Sequence, residues 1–183
     1  YTRDVDWPNV EAYVTANAEA TRLFAQAANK SCLGVPLTDS DDEELRGRDA
    51  PSMANTFGRR APSENPILIN VLLPDLSVLR TASRLVELDA RVAFHQSQGE
   101  RVFSDLQTLL GIAEHAFQRP FVISSLVGVS QVAATSNLIG WILCDRPDLL
   151  LDEPWVMISH RLAAAQGNGR LRIELTAEHW LFE

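Results

Sequence analysis

The chain has 183 residues, a net charge of -8, 46% apolar residues and 22% charged ones. That length fits one domain or slightly more, with enough chain for a real core, and the composition is that of an ordinary globular protein. The acidic balance excludes a nucleic-acid binder, which needs a basic stripe for phosphates, and disfavours docking on anionic lipid.

The sequence begins at Tyr1 rather than Met and shows no signal peptide. A mature form, a proteolytic fragment or a trimmed piece is therefore expected, with any targeting segment outside it. The two cysteines, Cys32 and Cys144, fit no zinc spacing, and the chain is too long to need disulfide stapling. They are expected to be isolated thiols.

In chain order, Pro8–Ala28 reads as one helix, with Pro8 at a position where its missing N–H costs nothing. Val10, Tyr13, Val14, Asn17, Ala20, Phe24 and Ala28 share one face. Asn17 lies inside that stripe and is expected to be a bonded structural amide. Residues 30–72 form the irregular part, a long loop or wrapping segment rich in proline. It carries the acidic run Asp39–Glu44. That run lacks the glycine and the closing glutamate of a calcium-binding loop and reads as a solvated segment.

Leu72–Gln98 is a strong helix, apolar over more than half its circumference. Its polar strip is Arg80, Arg84, Glu87, Arg91 and His95, with Glu87 spaced to pair with Arg84 and Arg91. Gly99 is expected to stop this helix with a positive φ. Glu100–Phe117 resumes helical spacing through Phe103, Leu106, Leu110, Ala113 and Phe117. So short a turn packs the two helices antiparallel.

Pro120–Cys144 follows, twenty-five residues without a charge. Its length satisfies a membrane span. Seven of its residues are polar (Ser124, Ser125, Ser130, Gln131, Thr135, Ser136 and Asn137), and polar amides near the centre of a lone span are costly. A central soluble helix is the reading taken, packed between the preceding hairpin and the C-terminal helices. Asp152–Gln166 is the next helix, opened by acidic residues and Pro154. Gly167–Gly169 breaks it, and residues 170–183 restart as a helix or a short strand.

Helical projection of the uncharged stretch puts Ser124, Gly128, Gln131 and Thr135 on one narrow face. It reads either as a seam where another helix backbone comes close, or as a wall that contacts a peptide or a partner helix. No catalytic, cofactor-binding or metal-binding set emerges. His95, His115, His160 and His179 have no metal spacing, and nucleophile-elbow, phosphate-loop and dinucleotide motifs are all missing. Nothing in the sequence points to an enzyme.

The unit Leu85-x-x-Leu88, Gly99-Glu100, Ser104, closing at Pro120, resembles a tetratricopeptide-type helical hairpin, over about 35 residues. Its proline comes a few residues late and the usual first-helix aromatic is missing. More broadly, Val10–Ala20, Leu79–Phe94 and Pro120–Gly128 resemble stretches of uncharacterised helical proteins of planctomycete-type bacteria. That resemblance implies an extracytoplasmic helical domain tethered by an N-terminal membrane anchor lying outside this chain. It brings no activity.

The expectation is thus an all-α array of five to six helices in antiparallel hairpins, tetratricopeptide-like or α-solenoid-like, forming one domain over residues 1–183. The expected function is protein–protein interaction or scaffolding, with a protein or peptide partner, no cofactor, and self-association compatible with the reading. The alternative is a small-ligand-binding or enzymatic domain with a pocket under residues 30–72.

Overall fold

The structure is a computed structural model that describes residues 5–31, 68–118 and 122–167. The described chain is all-α: α1 (Trp7–Ala16), α2 (Ala18–Ala28), α3 (Leu68–His95), α4 (Gly99–Phe117), α5 (Val122–Asp145) and α6 (Asp152–Gly167), with a single 3-10 turn at Pro147–Leu149. No strand occurs among the described residues. The chain divides into two compact units, Tyr1–Leu33 with Asp75–Glu183, and Gly34–Pro74. Of the second unit only residues 68–74, the opening turns of α3, are described. The division falls at Pro74, whose missing N–H leaves one rung of α3 unmade. The acidic run, Cys32 and the restart after Gly167 lie outside the described residues. So does most of the 30–72 segment.

The single helix expected over Pro8–Ala28 is two helices. Asp6 caps α1, accepting from the Asn9 backbone N–H at 3.4 Å. At Asn17 the backbone widens to φ -107° and ψ 12°. The Asn17 side chain donates to the Tyr13 carbonyl at 2.8 Å, and its N–H is shared between Tyr13 and Val14. A short amide competing for helix carbonyls is the physical reason for the break. Val14, Thr21 and Ala28, seven residues apart, form the buried line of α1–α2.

Ser97, not Gly99, carries the positive φ (60°) at the end of α3. The N–H of Gln98 reaches back to the Ala93 carbonyl (2.8 Å) and that of Ser97 to Phe94 (3.0 Å), a Schellman cap. Gly99 instead opens α4, and a Cβ there would lie 2.3 Å from the Leu149 carbonyl oxygen. The glycine is needed for close approach, not for its φ.

The central helix is α4 rather than the uncharged one. Val102, Leu106, Leu109, Leu110, Ile112, Ala113 and Ala116 are buried on one side, and the buried Thr108, Gly111 and His115 extend the covered arc to most of the circumference. It packs on α2, α5 and α6 and shares one core cluster with α3 through Leu76, Ala82, Val86, Ala90 and Ala93. The five positions first read as one stripe of α4 understate this, because Val102, Leu109 and Ile112 fill the arc beside them. The α3–α4 pair is tied across by Arg101 donating to Asp89. At the other end α4 meets α2 so closely that a Cβ on Gly111 would lie 2.5 Å from the Ala28 carbonyl oxygen.

Arg161 holds α6 to α4. Its guanidinium spans Glu114 (3.1 and 3.3 Å) and the Gln107 carbonyl (3.0 Å), beside the buried Ile158 and the partly buried Trp155 and Leu162.

Candidate functional site: a polar cleft and an inverted helix

The uncharged helix α5 is built inside out. Its inward arc, which packs on α4, is small and polar over its first half: Ser124, Ser125, Gly128, Gln131 and Thr135 are all buried. Leu138, Ile139 and Ile142 bring the largest side chains to the core, and Val132 is buried with them. Small residues let the two helix backbones approach, and a Cβ on Gly128 would come within 2.8 Å of the Phe117 ring. The outward arc is apolar. Ile123, Leu126, Val129, Trp141 and Leu143 are all exposed, Leu126 by 53%. Between them lie Ala133, Asn137, Gly140 and Cys144, also exposed, and a Cβ on Gly140 would meet nothing within 4 Å. Trp141 leans on Phe94, with ring centroids 4.3 Å apart, and the Arg91 guanidinium stands 5.4 Å over it.

By length and composition α5 could cross a membrane, with a mean hydropathy of 1.4, but 44% of the window that passes that test is buried inside the protein. That inward half is occupied by α4.

Beside this helix lies a cleft of about 160 Å³. Helix α3 contributes Arg80, Arg84 and Glu87 from the polar strip foreseen on it, and Ser83 beside them. Leu109 of α4 closes the back. Ser130, Gln131, Ala134 and Thr135 form the α5 wall. Of the four residues read as a candidate interaction face, the structure therefore brings Gln131 and Thr135 to the cleft. Gly128 lies under Phe117, and Ser124 is fully buried.

The hydrogen bonding of the cleft is unequal. Ser83 donates to the Leu79 carbonyl at 3.0 Å and Thr135 to the Gln131 carbonyl at 2.9 Å, so both hydroxyl hydrogens are used. Glu87 is held by Arg91 at 2.8 Å and not by Arg84. Arg80 and Arg84 have neither an ion pair nor a hydrogen bond among the described residues. Gln131 is 6% exposed, and neither its Oε1 nor its Nε2 has a partner. A buried amide with nothing to bond is uncommon, and each orphaned group costs about 1–3 kcal/mol.

A second buried polar group escaped the sequence reading. Asp105 sits among Val102, Leu106 and Leu109 on α4, with its Oδ2 unpartnered. Burial pushes its carboxyl up to about 8. The Asp89 charge adds to that rise and Arg101 opposes it. The only signal was an acid at an apolar-face position of a strong helix.

Two of the histidines are held by neighbouring side chains or backbone. His95 stacks on Trp7, with centroids 4.4 Å apart, and stands 3.5 Å from Glu11. His115 is buried, its Nε2 donating to the Ala27 carbonyl at 3.0 Å and its Nδ1 3.3 Å from Gln118 Oε1. His160 is exposed, and His179 lies outside the described residues. No group of side chains spaced to hold a metal occurs among the described residues. Cys144 is an exposed free thiol.

Of the residues behind the tetratricopeptide resemblance, Leu85 is buried, Ser104 is exposed and Gly99 packs on Leu149. Compared with known proteins, the chain matches no family model, no curated protein and no solved structure.

Proposed function

We propose that this chain is a protein-interaction or scaffolding module, and that its partner covers the outward arc of α5. One observation carries the reading: a helix of 24 residues with no charge before its last residue, Asp145, exposes large apolar side chains on the arc that faces away from the core. An apolar helix arc is normally covered. An ordinary surface helix would place charges on that arc, as α3 does with Arg80, Arg84, Glu87 and Arg91. The α3–α4 hairpin supports a helical array of tetratricopeptide type, in which such faces receive a partner helix or peptide.

The test is a pair of charges on the outer arc, Leu126→Glu with Ala133→Arg. Both sites are exposed, so stability should stay within about 0.5 kcal/mol of the parent at each. The parent chain is expected to form a complex in light scattering or in cross-linking within its source cells, and the charged variant to lose it. A parent that stays monomeric, with no cross-linked partner that the variant lacks, sinks the reading. Flotation of the parent on uncharged vesicles would replace a protein partner with a bilayer.

A further inference from the structure

We infer that the cleft between α3 and α5 is a binding site for a small dianion, a dicarboxylate or a phosphate, held by Arg80, Arg84 and the Gln131 amide. This inference is independent of the outer face of α5.

Three observations converge on it. First, two guanidinium groups four residues apart on one helix stand at the cleft without a counter-charge among the described residues, in a chain whose net charge is -8. Residues at that spacing are neighbours on a helix surface, and a guanidinium is a rigid fork that matches carboxylate and phosphate oxygens two at a time. The one acid in the lining, Glu87, is already bound by Arg91, so the uncompensated charge of the cleft is positive.

Second, the donors of the cleft are free while its other hydrogens are spent. Ser83 and Thr135 donate to helix carbonyls. Among the described residues Ser130 has no hydrogen bond, and Gln131 keeps two amide hydrogens with no acceptor. The Gln131 amide atoms are buried at the cleft lining. Turning it toward a bound oxyanion supplies the acceptor that it finds nowhere among the described residues. An apolar side chain of the same volume would pack there at lower cost, so the amide calls for an explanation.

Third, the size is restrictive. A cavity of about 160 Å³ is close to the volume that accepts a benzene-sized molecule in an engineered core. That admits phosphate or a four-carbon dicarboxylate.

The experiment titrates succinate and inorganic phosphate separately into the full chain by calorimetry at low ionic strength. Binding of at least one in or below the millimolar range is expected, and which one binds distinguishes a carboxylate site from a phosphate site. Arg80→Gln and Arg84→Gln, both at exposed positions, should each weaken it about tenfold or more, the loss expected for a hydrogen bond to a charged group. Gln131→Leu should raise Tm, because an unpartnered amide is removed, while binding falls about tenfold or more. Absence of binding by both anions overturns the inference. So does binding that survives neutralising both arginines, or that survives Gln131→Leu in a folded chain.

Discussion

Asp105 sets the pH response expected of this fold. In the unfolded chain it titrates near 3.8, and in the folded chain near 8. The folded state therefore keeps a proton that the unfolded state releases anywhere between those values. Stability from this group is full below pH 3.8, falls as pH rises, and is lost once pH passes 8, by up to about 1.4 kcal/mol per pH unit within the window. Asp105→Asn removes the titration. Its stability advantage over the parent should grow from pH 5 to pH 8 in urea unfolding and level off above that. A constant difference would show that burial does not perturb Asp105. The residue was visible in the sequence only as an acid beside Val102, Leu106 and Leu109. Helical spacing locates such a residue on a buried face, but it does not say what charge lies across from it, here Asp89 and Arg101. Gln131 was legible as a member of a small polar face. Its lack of a partner was not, because that depends on α3 and α4 arriving without an acceptor.

At the scale of elements, sequence periodicity located α4, α5 and α6 to within about two residues of their observed ends, since hydrophobic spacing and proline punctuation agree there. It missed the break at Asn17, where a local side-chain bond decides between one helix and two. It also gave Gly99 the role that Ser97 plays. Glycine is the usual left-handed residue, but here a contact with Leu149, far along the chain, claims it. The glycines differ in a testable way. Alanine in place of a helical glycine returns about 1 kcal/mol of helix propensity, and overpacking takes about 1–3 kcal/mol. At Gly111 the obstacle is the Ala28 backbone, which cannot turn aside, so the cost lies at the upper end and Gly111→Ala should lose up to about 2 kcal/mol net. At Gly128 the obstacle is the Phe117 ring, which is only partly buried. Gly128→Ala should stay within about 0.5 kcal/mol of the parent. Urea midpoints measure both, and an equal loss at the two sites would contradict the assignment of rigid and movable neighbours.

For the whole molecule, an all-α class followed from the sequence, but the identity of its centre did not. Absence of charge made α5 look like the innermost helix. Burial belongs instead to α4, two of whose charged residues pair with neighbouring helices: Arg101 with Asp89, and Glu114 with Arg161. A charge count cannot distinguish a helix covered by its own chain from one that leaves an apolar arc outside. The Arg161 fork is the polar link between α4 and α6. Arg161→Leu should cost about 1–3 kcal/mol, the value of hydrogen bonds to charged groups. Arg161→Lys should recover less than half of that, since a single ammonium cannot reproduce the fork that spans Glu114 and Gln107. Thermal unfolding of the two variants checks this, and full recovery by lysine would mean that charge alone holds α6.

One end of the molecule is sewn shut. Arg146, just beyond α5, donates to the Ser97 hydroxyl at 2.7 Å and to the Phe94 carbonyl, with its guanidinium 4.3 Å over the Phe94 ring. Three residues further on, the Leu149 carbonyl sits against Gly99. The turn that joins α3 to α4 and the turn that joins α5 to α6 are distant in sequence but share these contacts. Neither can fray without uncovering the other. Their backbone amides are therefore expected to exchange with solvent as one cooperative unit, and hydrogen exchange that opens one turn while the other stays protected would show that these contacts do not couple them.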